Sequence, residues 1–214
     1  MSRLLPALPA LPALLAAGLL AGACDSGSSG QSAPPATTAP TAPVCQNPNR
    51  NAVNQLNAPP AITIDPNKAY AAKLNTSRGT FTIQLNAHAA PSTVNNFVYL
   101  AQQHYYDCLT FHRVVPGFVA QGGDPNGDGT GGPPYKLPNE TNPTPWKAGS
   151  VGMASNRAGV SGSQFFIVLA DGPNAQSLAT SGVYNQFGSV SDGFDVVQKI
   201  QVGDQITSIE ISSK

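Results

Sequence analysis

The residues best suited to chemistry lie in one short stretch, residues 111–124, which reads FHRVVPGFVAQGGD. Arg113 stands among apolar residues there, where a cation is unfavourable unless it is paired or used. On a regular strand Arg113 would share a face with Phe111, beside a groove. Phe118 and Gln121 follow across a Pro-Gly turn. A cation, an aromatic ring and an amide beside an apolar shelf could bind a neutral peptide. The alternative is a surface arginine on an edge strand, which would explain the same residues.

The next residues, 124–129, read DPNGDG and match the opening of an EF-hand calcium loop. The twelfth position of such a loop carries a bidentate Glu, but here it is Tyr135. We therefore expect a polar, glycine-rich loop without calcium. The cysteines and histidines of the chain lack the spacing of metal ligands. The sequence predicts no metal and no cofactor.

The composition excludes some functions. The chain has 214 residues, no net charge, and only 10% charged residues. A protein that binds nucleic acid usually carries a basic patch, so no nucleic-acid partner is expected. The 20 prolines and 21 glycines indicate many turns and an extended linker.

The first 23 residues have the pattern of an export signal. Arg3 precedes an apolar run rich in Leu and Ala that ends in small residues. The run continues directly into Cys24 and resembles the bacterial lipobox, in which the cysteine carries lipid. Ala21 departs from that pattern, which usually has Leu, Val or Ile there. We expect a lipoprotein on the outer face of the cell membrane, held by a lipid anchor on Cys24; a secreted protein is the alternative.

Residues 24–66 are predicted to be a flexible linker. Residues 25–44 consist mostly of Ser, Gly, Pro, Thr and Ala, which cannot bury enough apolar surface to offset the entropy of ordering. Two cysteines remain after Cys24: Cys45 after the linker's low-complexity part and Cys108 in the folded region. In an exported protein an even remainder suggests a disulfide between them. Two isolated thiols are the alternative.

The folded domain is predicted over 67–214 and is mainly β. Apolar residues that alternate with polar ones, and the Gly and Pro that separate them, predict strands at 70–75, 80–85, 110–115, 118–121, 151–154, 164–169, 186–190 and 206–211. Apolar residues at helical spacing predict helices at about 90–103 and 193–201. Many short strands with two helices favour a closed antiparallel barrel, because closure removes exposed edges.

Several motifs resemble those of the cyclophilins. The stretches FHR at 111–113, PGF at 116–118 and QGGD at 121–124 are similar to the family's signature strand. The matches continue along 69–212 in one order, with APSTVNNF at 90–97, GTGG at 129–132, GSQFFI at 162–167 and FGSV at 187–190. The resemblance implies an eight-stranded barrel capped by two α-helices, with a proline-binding groove on its outside.

The resemblance also implies an activity and a site. It implies a peptidyl-prolyl cis–trans isomerase for exported or surface proteins, whose folding it assists by acting on their X-Pro bonds. Arg113 matches the catalytic arginine and Gln121 an amide that acts with it, while Phe118 matches the floor of the proline pocket. The other residues that match or nearly match the substrate site are Val119, Ala154, Ser155, Gln164, Phe166, Leu178 and Tyr184.

Three features of the family differ here. Ser155 follows Met153-Ala154 where Asn is frequent, and Tyr184 replaces a pocket histidine. The family's groove tryptophan is missing, since Trp146, the chain's one tryptophan, lies too early. We expect a monomer whose partners are proline-containing polypeptides. A non-catalytic module that holds proline segments in the same groove is the alternative function.

Overall fold

The computed structural model describes residues 49–214, apart from the side chain of residue 49. The predicted export signal, the lipidation residue Cys24 and the predicted disulfide residue Cys45 lie outside the described residues. Among those residues, no helix is sufficiently long and apolar to cross a membrane.

The described chain forms nine strands and four helices. The strands are β1 Tyr70–Thr76, β2 Gly79–Leu85, β3 Arg113–Val115, β4 Val119–Gly122, β5 Lys136–Leu137, β6 Ser150–Asn156, β7 Gly159–Val168, β8 Gln186–Asp192 and β9 Ile206–Ser213. The helices are α1 Asn49–Val53, α2 Pro91–Gln102, α3 Pro173–Ser177 and α4 Phe194–Val197. The mainly β fold expected from the alternating pattern is therefore confirmed.

All strand pairs are antiparallel and form one curled sheet. The order is β3-β4-β7-β6-β8-β2-β1-β9, with β5 added to β7. The predicted closed, eight-stranded barrel is not confirmed, because no strand pair joins β3 to β9 among the described residues. The bridge Thr110–Gln205 connects the two ends instead, together with several backbone hydrogen bonds between 108–111 and 203–206, among them Phe111 N to Asp204 O (2.9 Å). The chain before Arg113 is too irregular to continue the ladder.

The two predicted helices exist, but with different lengths. α2 covers nearly the whole predicted range, and Pro91 is its first residue, where a missing N–H costs nothing. The second helix, predicted at 193–201, is shorter, because α4 ends at Val197. Beyond it Lys199 N donates to Val196 O and Ile200 N to Val197 O, which is the tighter spacing of a 3₁₀ turn. Val197 and Ile200 still face the core.

The core lies inside the curled sheet and is covered by α2. The alternating residues of β2, Phe81, Ile83 and Leu85, point into it, as the sequence pattern predicted. From α2, the Phe97 ring lies 5.1 Å from the Tyr106 and Phe187 rings. These aromatic contacts join the helix to the sheet that carries the site.

The segment before β1 differs from the predicted flexible linker. Residues 50–66 pack on the domain: Val53 is 2% exposed, and the Arg50 guanidinium donates to the carbonyls of Tyr105 (3.2 Å) and Asp107 (2.7 Å). Asn95 of α2 binds the chain farther on, since its Oδ1 accepts from Thr63 N (2.8 Å) and its Nδ2 donates to the Ala61 carbonyl (3.0 Å). No sequence pattern predicts this contact, because one side chain takes the place of a regular backbone partner.

Replacing Asn95 should release this segment. Asn95→Ala leaves Thr63 N and the Ala61 carbonyl without their partner, and we expect the free energy of unfolding to fall by about 1–3 kcal/mol. Hydrogen exchange at the Thr63 amide should accelerate more than exchange in β1. Thr63→Val is the matched control, because it removes only the 3.3 Å hydroxyl contact with Asn95. Unchanged protection at Thr63 in Asn95→Ala would show that Asn95 does not hold the segment.

Candidate active site

Arg113 is the first residue of the edge strand β3 and pairs with Gln121 of β4. Val114 packs against the core, so Arg113 lies on the outer face and is exposed. The prediction that Arg113 shares a face with Phe111 is wrong: Phe111 is fully buried, because the regular strand begins only at Arg113. The guanidinium nevertheless stays on the sheet, where Nη1 donates to Gln121 Oε1 at 3.5 Å.

A cavity of about 250 Å³ lies beside Arg113, and we call it the proline cavity. It contains every predicted catalytic or substrate-binding residue except Gln164. The lining residues are Arg113, Phe118, Val119, Gln121, Ala154, Ser155, Phe166, Leu178 and Tyr184. They come from β3, β4, β6 and β7, from the turn between β3 and β4, and from the segment between α3 and β8, so the folded sheet is needed to assemble them.

Gln164 lies behind this cavity and holds one of its walls. Its Nε2 donates to the carbonyls of Gly129 (3.0 Å) and Gly131 (2.8 Å), and its Oε1 accepts from Gln121 Nε2 at 3.0 Å. The hydrogens of this buried amide are thus used within the protein, and its position fixes that of Gln121. The structure places Gln164 on an adjoining cavity of about 280 Å³ that shares Gln121 with the proline cavity.

Asp124 holds the loop whose carbonyls accept hydrogen bonds from Gln164. The Asp124 residue is 1% exposed. The Asp124 carboxylate accepts from the backbone N–H of Asn126 (2.8 Å), Asp128 (3.2 Å) and Gly129. The acid at the first position of the apparent calcium motif therefore binds backbone amides. In the part of the chain that the structure describes, no three His, Cys, Asp or Glu side chains gather as metal ligands would.

Trp146 supports the apolar wall from behind. Its ring stacks on Phe166 (centroids 5.5 Å apart, 25° between planes) and meets Tyr184 edge to face at 6.4 Å. Gly152 allows this stacking, since a Cβ there would come within 2.9 Å of the Phe166 ring and closer to the indole. The sequence did not predict this role of Trp146. Trp146 lies too early in the chain to be the family's groove tryptophan, and no motif indicated another role for it.

His112 lies next to Arg113 and is largely desolvated. Neither ring nitrogen has a hydrogen-bond partner among the described residues. Burial lowers the pKa of His112, and Arg113 lowers it further, although Asp124 and Asp128 act in the opposite direction. The ring is therefore neutral at neutral pH, and Arg113 is the cation beside the cavity.

Cys108 is disulfide-bonded. It adopts a left-handed backbone conformation with φ of 69° at the end of the turns that follow α2. Cys45, its predicted partner, lies outside the described residues.

With this geometry in place, comparison with known proteins gives one family. The family model described as "Cyclophilin type peptidyl-prolyl cis-trans isomerase/CLD" matches residues 71–213. A peptidyl-prolyl cis-trans isomerase of Synechococcus elongatus is 46% identical over 140 residues, which cover 64% of this chain and 93% of the relative. Peptidyl-prolyl cis-trans isomerase B of Bacillus subtilis is 44% identical over 130 residues, which cover 60% of this chain and 87% of the relative.

Solved structures agree. A cyclophilin type peptidyl-prolyl cis-trans isomerase of Cryptosporidium parvum has a TM-score of 0.59 and 29% identity, covering 68% of this chain and 99% of that one. A second structure of the same protein, determined in the presence of the dipeptide Ala-Pro, has a TM-score of 0.58 and 29% identity, covering 67% and 99%.

The state of His112 predicts how stability depends on pH. Its pKa lies below the ordinary value of 6.5 in the folded protein, so below pH 6.5 the unfolded chain binds more protons. The free energy of unfolding contributed by His112 should therefore fall as the pH drops below 6.5, towards the folded pKa. His112→Gln should flatten this part of a urea-denaturation profile. His88→Gln, at an exposed histidine, is the control and should keep the wild-type slope. Equal slopes for His112→Gln and wild type would contradict the assignment of a desolvated His112.

Proposed function

This chain belongs to the cyclophilin-type peptidyl-prolyl cis–trans isomerases, and we propose that it acts on X-Pro bonds of exported or surface proteins and assists their folding. The isomerase activity follows from the family. The observation that supports a working site is the proline cavity, in which Arg113 stands beside Phe118 and Gln121. The substrates are proline-containing polypeptides, as the Ala-Pro dipeptide used with the Cryptosporidium parvum relative also suggests.

The proposed chemistry is rotation about an amide bond. Resonance gives that bond a barrier of roughly 18–20 kcal/mol, and uncatalysed X-Pro isomerisation takes tens to hundreds of seconds. As the bond twists, the lone pair of the proline nitrogen is no longer delocalised into the carbonyl and becomes a better hydrogen-bond acceptor. Arg113, which is always charged and carries several donors, would bind the twisted amide better than the planar one. This preference lowers the barrier.

The remaining cavity residues would hold the substrate while it turns. Phe118, Phe166 and Leu178 supply an apolar surface suited to a proline ring. Gln121 uses one amide hydrogen on Gln164, which leaves the other for a substrate carbonyl. We assign Gln164 a positioning role instead of the direct substrate contact expected from its motif. When the substrate carbonyl is held in place, the two sides of the X-Pro bond rotate relative to each other.

Export and membrane attachment form the second part of the proposal. The apolar run over 1–23 and the small residues before Cys24 support an anchored lipoprotein on the outer face of the membrane. The disulfide-bonded state of Cys108 also supports export, because disulfides persist in oxidising compartments. We assign Cys45 as its partner. We propose a monomer, since only three large apolar side chains are exposed in the described region, Ile62, Val183 and Val202.

Arg113→Ala tests the catalytic assignment. Removing the donor to the twisted amide should lower kcat/KM for a proline peptide about 100-fold or more. Stability should change by no more than about 0.5 kcal/mol, because Arg113 is exposed. Arg157→Ala, at another exposed arginine outside the cavity, is the matched control and should retain wild-type kcat/KM.

The same pair of variants separates the enzyme from the alternative binding module. A proline-limited refolding assay should slow with Arg113→Ala and remain fast with Arg157→Ala. If Arg113→Ala refolds the test protein as rapidly as wild type, Arg113 does not catalyse the rotation and the groove only binds proline segments.

Cys24→Ala tests the anchor. The full chain, expressed in a bacterium that processes lipoproteins, should move from the membrane fraction to the soluble exported fraction when the lipid acceptor is lost. Isomerase activity of the released protein should equal that of wild type, because the residues that line the proline cavity all lie between 113 and 184. An identical distribution of wild type and Cys24→Ala would favour the secreted alternative.

A further inference from the structure

A separate cavity lies on the other side of two walls of the proline cavity. It has a volume of about 260 Å³, and we call it the Trp146 cavity after its largest side chain. The residues that matter here are Pro145, Trp146, Leu178, Ala179, Tyr184 and Gln186. No charged side chain lines it. The family motifs of the sequence do not include Trp146, Ala179 or Gln186.

Gln186 lines the Trp146 cavity and carries a buried hydrogen-bond acceptor that is unpaired among the described residues. The residue is 6% exposed, and its Oε1 has no hydrogen-bond partner among the described residues. Its Nε2 donates only a long bond, 3.4 Å, to the Pro145 carbonyl. Leaving a buried amide oxygen unpaired is unfavourable, so such groups usually have a partner. An N–H donor in the cavity would supply one.

The Trp146 cavity adjoins the proline cavity. Leu178 and Tyr184 line both, so a polypeptide that places its proline on one side of these residues can continue over them to the other. Trp146 connects the two as well, since its ring lies behind Phe166 and against Tyr184. A ligand in the Trp146 cavity therefore touches the side chains that form the proline wall.

We propose that the Trp146 cavity is a second subsite, which binds an uncharged segment of the same substrate polypeptide and pairs one of its N–H groups with Gln186. The proposal rests on the proposed function, because its occupant is the chain whose proline enters the first cavity. The neutral lining selects against charged residues in that segment, since no group in the cavity would compensate a desolvated charge. The subsite contributes substrate preference, and Arg113 remains the group that lowers the barrier.

Peptides of two lengths separate this subsite from the isomerase site. The first is a blocked Ala-Pro peptide, and the others carry three asparagines or three aspartates added before or after it. We expect wild type to turn over one of the two asparagine-extended peptides with a kcat/KM about tenfold higher than the short peptide. The aspartate-extended peptide of the same length should show no increase. If neither asparagine extension raises kcat/KM, the proposal is overturned.

Gln186→Met tests the acceptor, because it keeps the length of the side chain and removes the amide. The variant should turn over the short peptide as wild type does, and the tenfold preference for the extended peptide should disappear. A role in stability alone would instead change both peptides together, and urea denaturation of the variant checks for that. Retention of the preference would contradict the assignment of Gln186.

Two further variants localise the effect. Gln186 also lines a neighbouring cavity that contains Ser189 but not Trp146, so Ser189→Val narrows that other space. Ala179→Phe fills the Trp146 cavity from its exposed rim. Ala179→Phe should remove the preference for the extended peptide, and Ser189→Val should keep it. The opposite pattern would place the extension in the neighbouring cavity and overturn the proposal. If wild type does not turn over even the short peptide, that result contradicts the proposed function itself.

Discussion

A single chain of hydrogen bonds determines the position of the cation at this site. Asp124 binds backbone amides of its own loop, and two carbonyls of that loop receive Gln164. Gln164 then accepts from Gln121, and Gln121 accepts from Arg113. Arg113 itself is exposed on an edge strand, where a long side chain would otherwise sample many rotamers. Each link towards Asp124 is more buried, so the order of the loop limits the freedom of the guanidinium.

The hydrogen-bonded residues Arg113, Gln121 and Gln164 lie on neighbouring strands of the sheet. Their positions supply the groups that the proposed mechanism uses, which include neither a metal nor a nucleophile. β4 lies between β3 and β7, and the pairs Arg113–Gln121 and Gln121–Phe166 put a cation, an amide and an aromatic ring at neighbouring positions on three strands. Arg113 lies on β3, the end strand of the sheet, and its side chain is exposed. A central strand would place the same arginine between two neighbours.

The sequence predicted what depends on periodicity and motif. Alternation located β1, β2 and β9, helical spacing located α2, and the motifs named the residues that line the proline cavity. It could not predict contacts between remote segments that leave no local pattern. Asn95 holding residues 60–64, Gln164 bound to the carbonyls of the loop, and Trp146 stacked on Phe166 are such contacts. The predicted strand at 110–115 began too early, because the irregular chain before Arg113 still reads as an alternating strand.

The attachment of the N-terminal segment is compatible with an accessible site. Residues 50–64 are held by Asn95 of α2 and by the carbonyls of Tyr105 and Asp107, and none of the hydrogen bonds described for them reaches a residue of the proline cavity. Cys108, adjacent to Asp107, adds a covalent restraint to the same turns. The described part of this segment therefore contacts α2 and the turns after it, and Arg113 remains exposed. In the proposed anchored protein, attachment and substrate binding would use different parts of the domain.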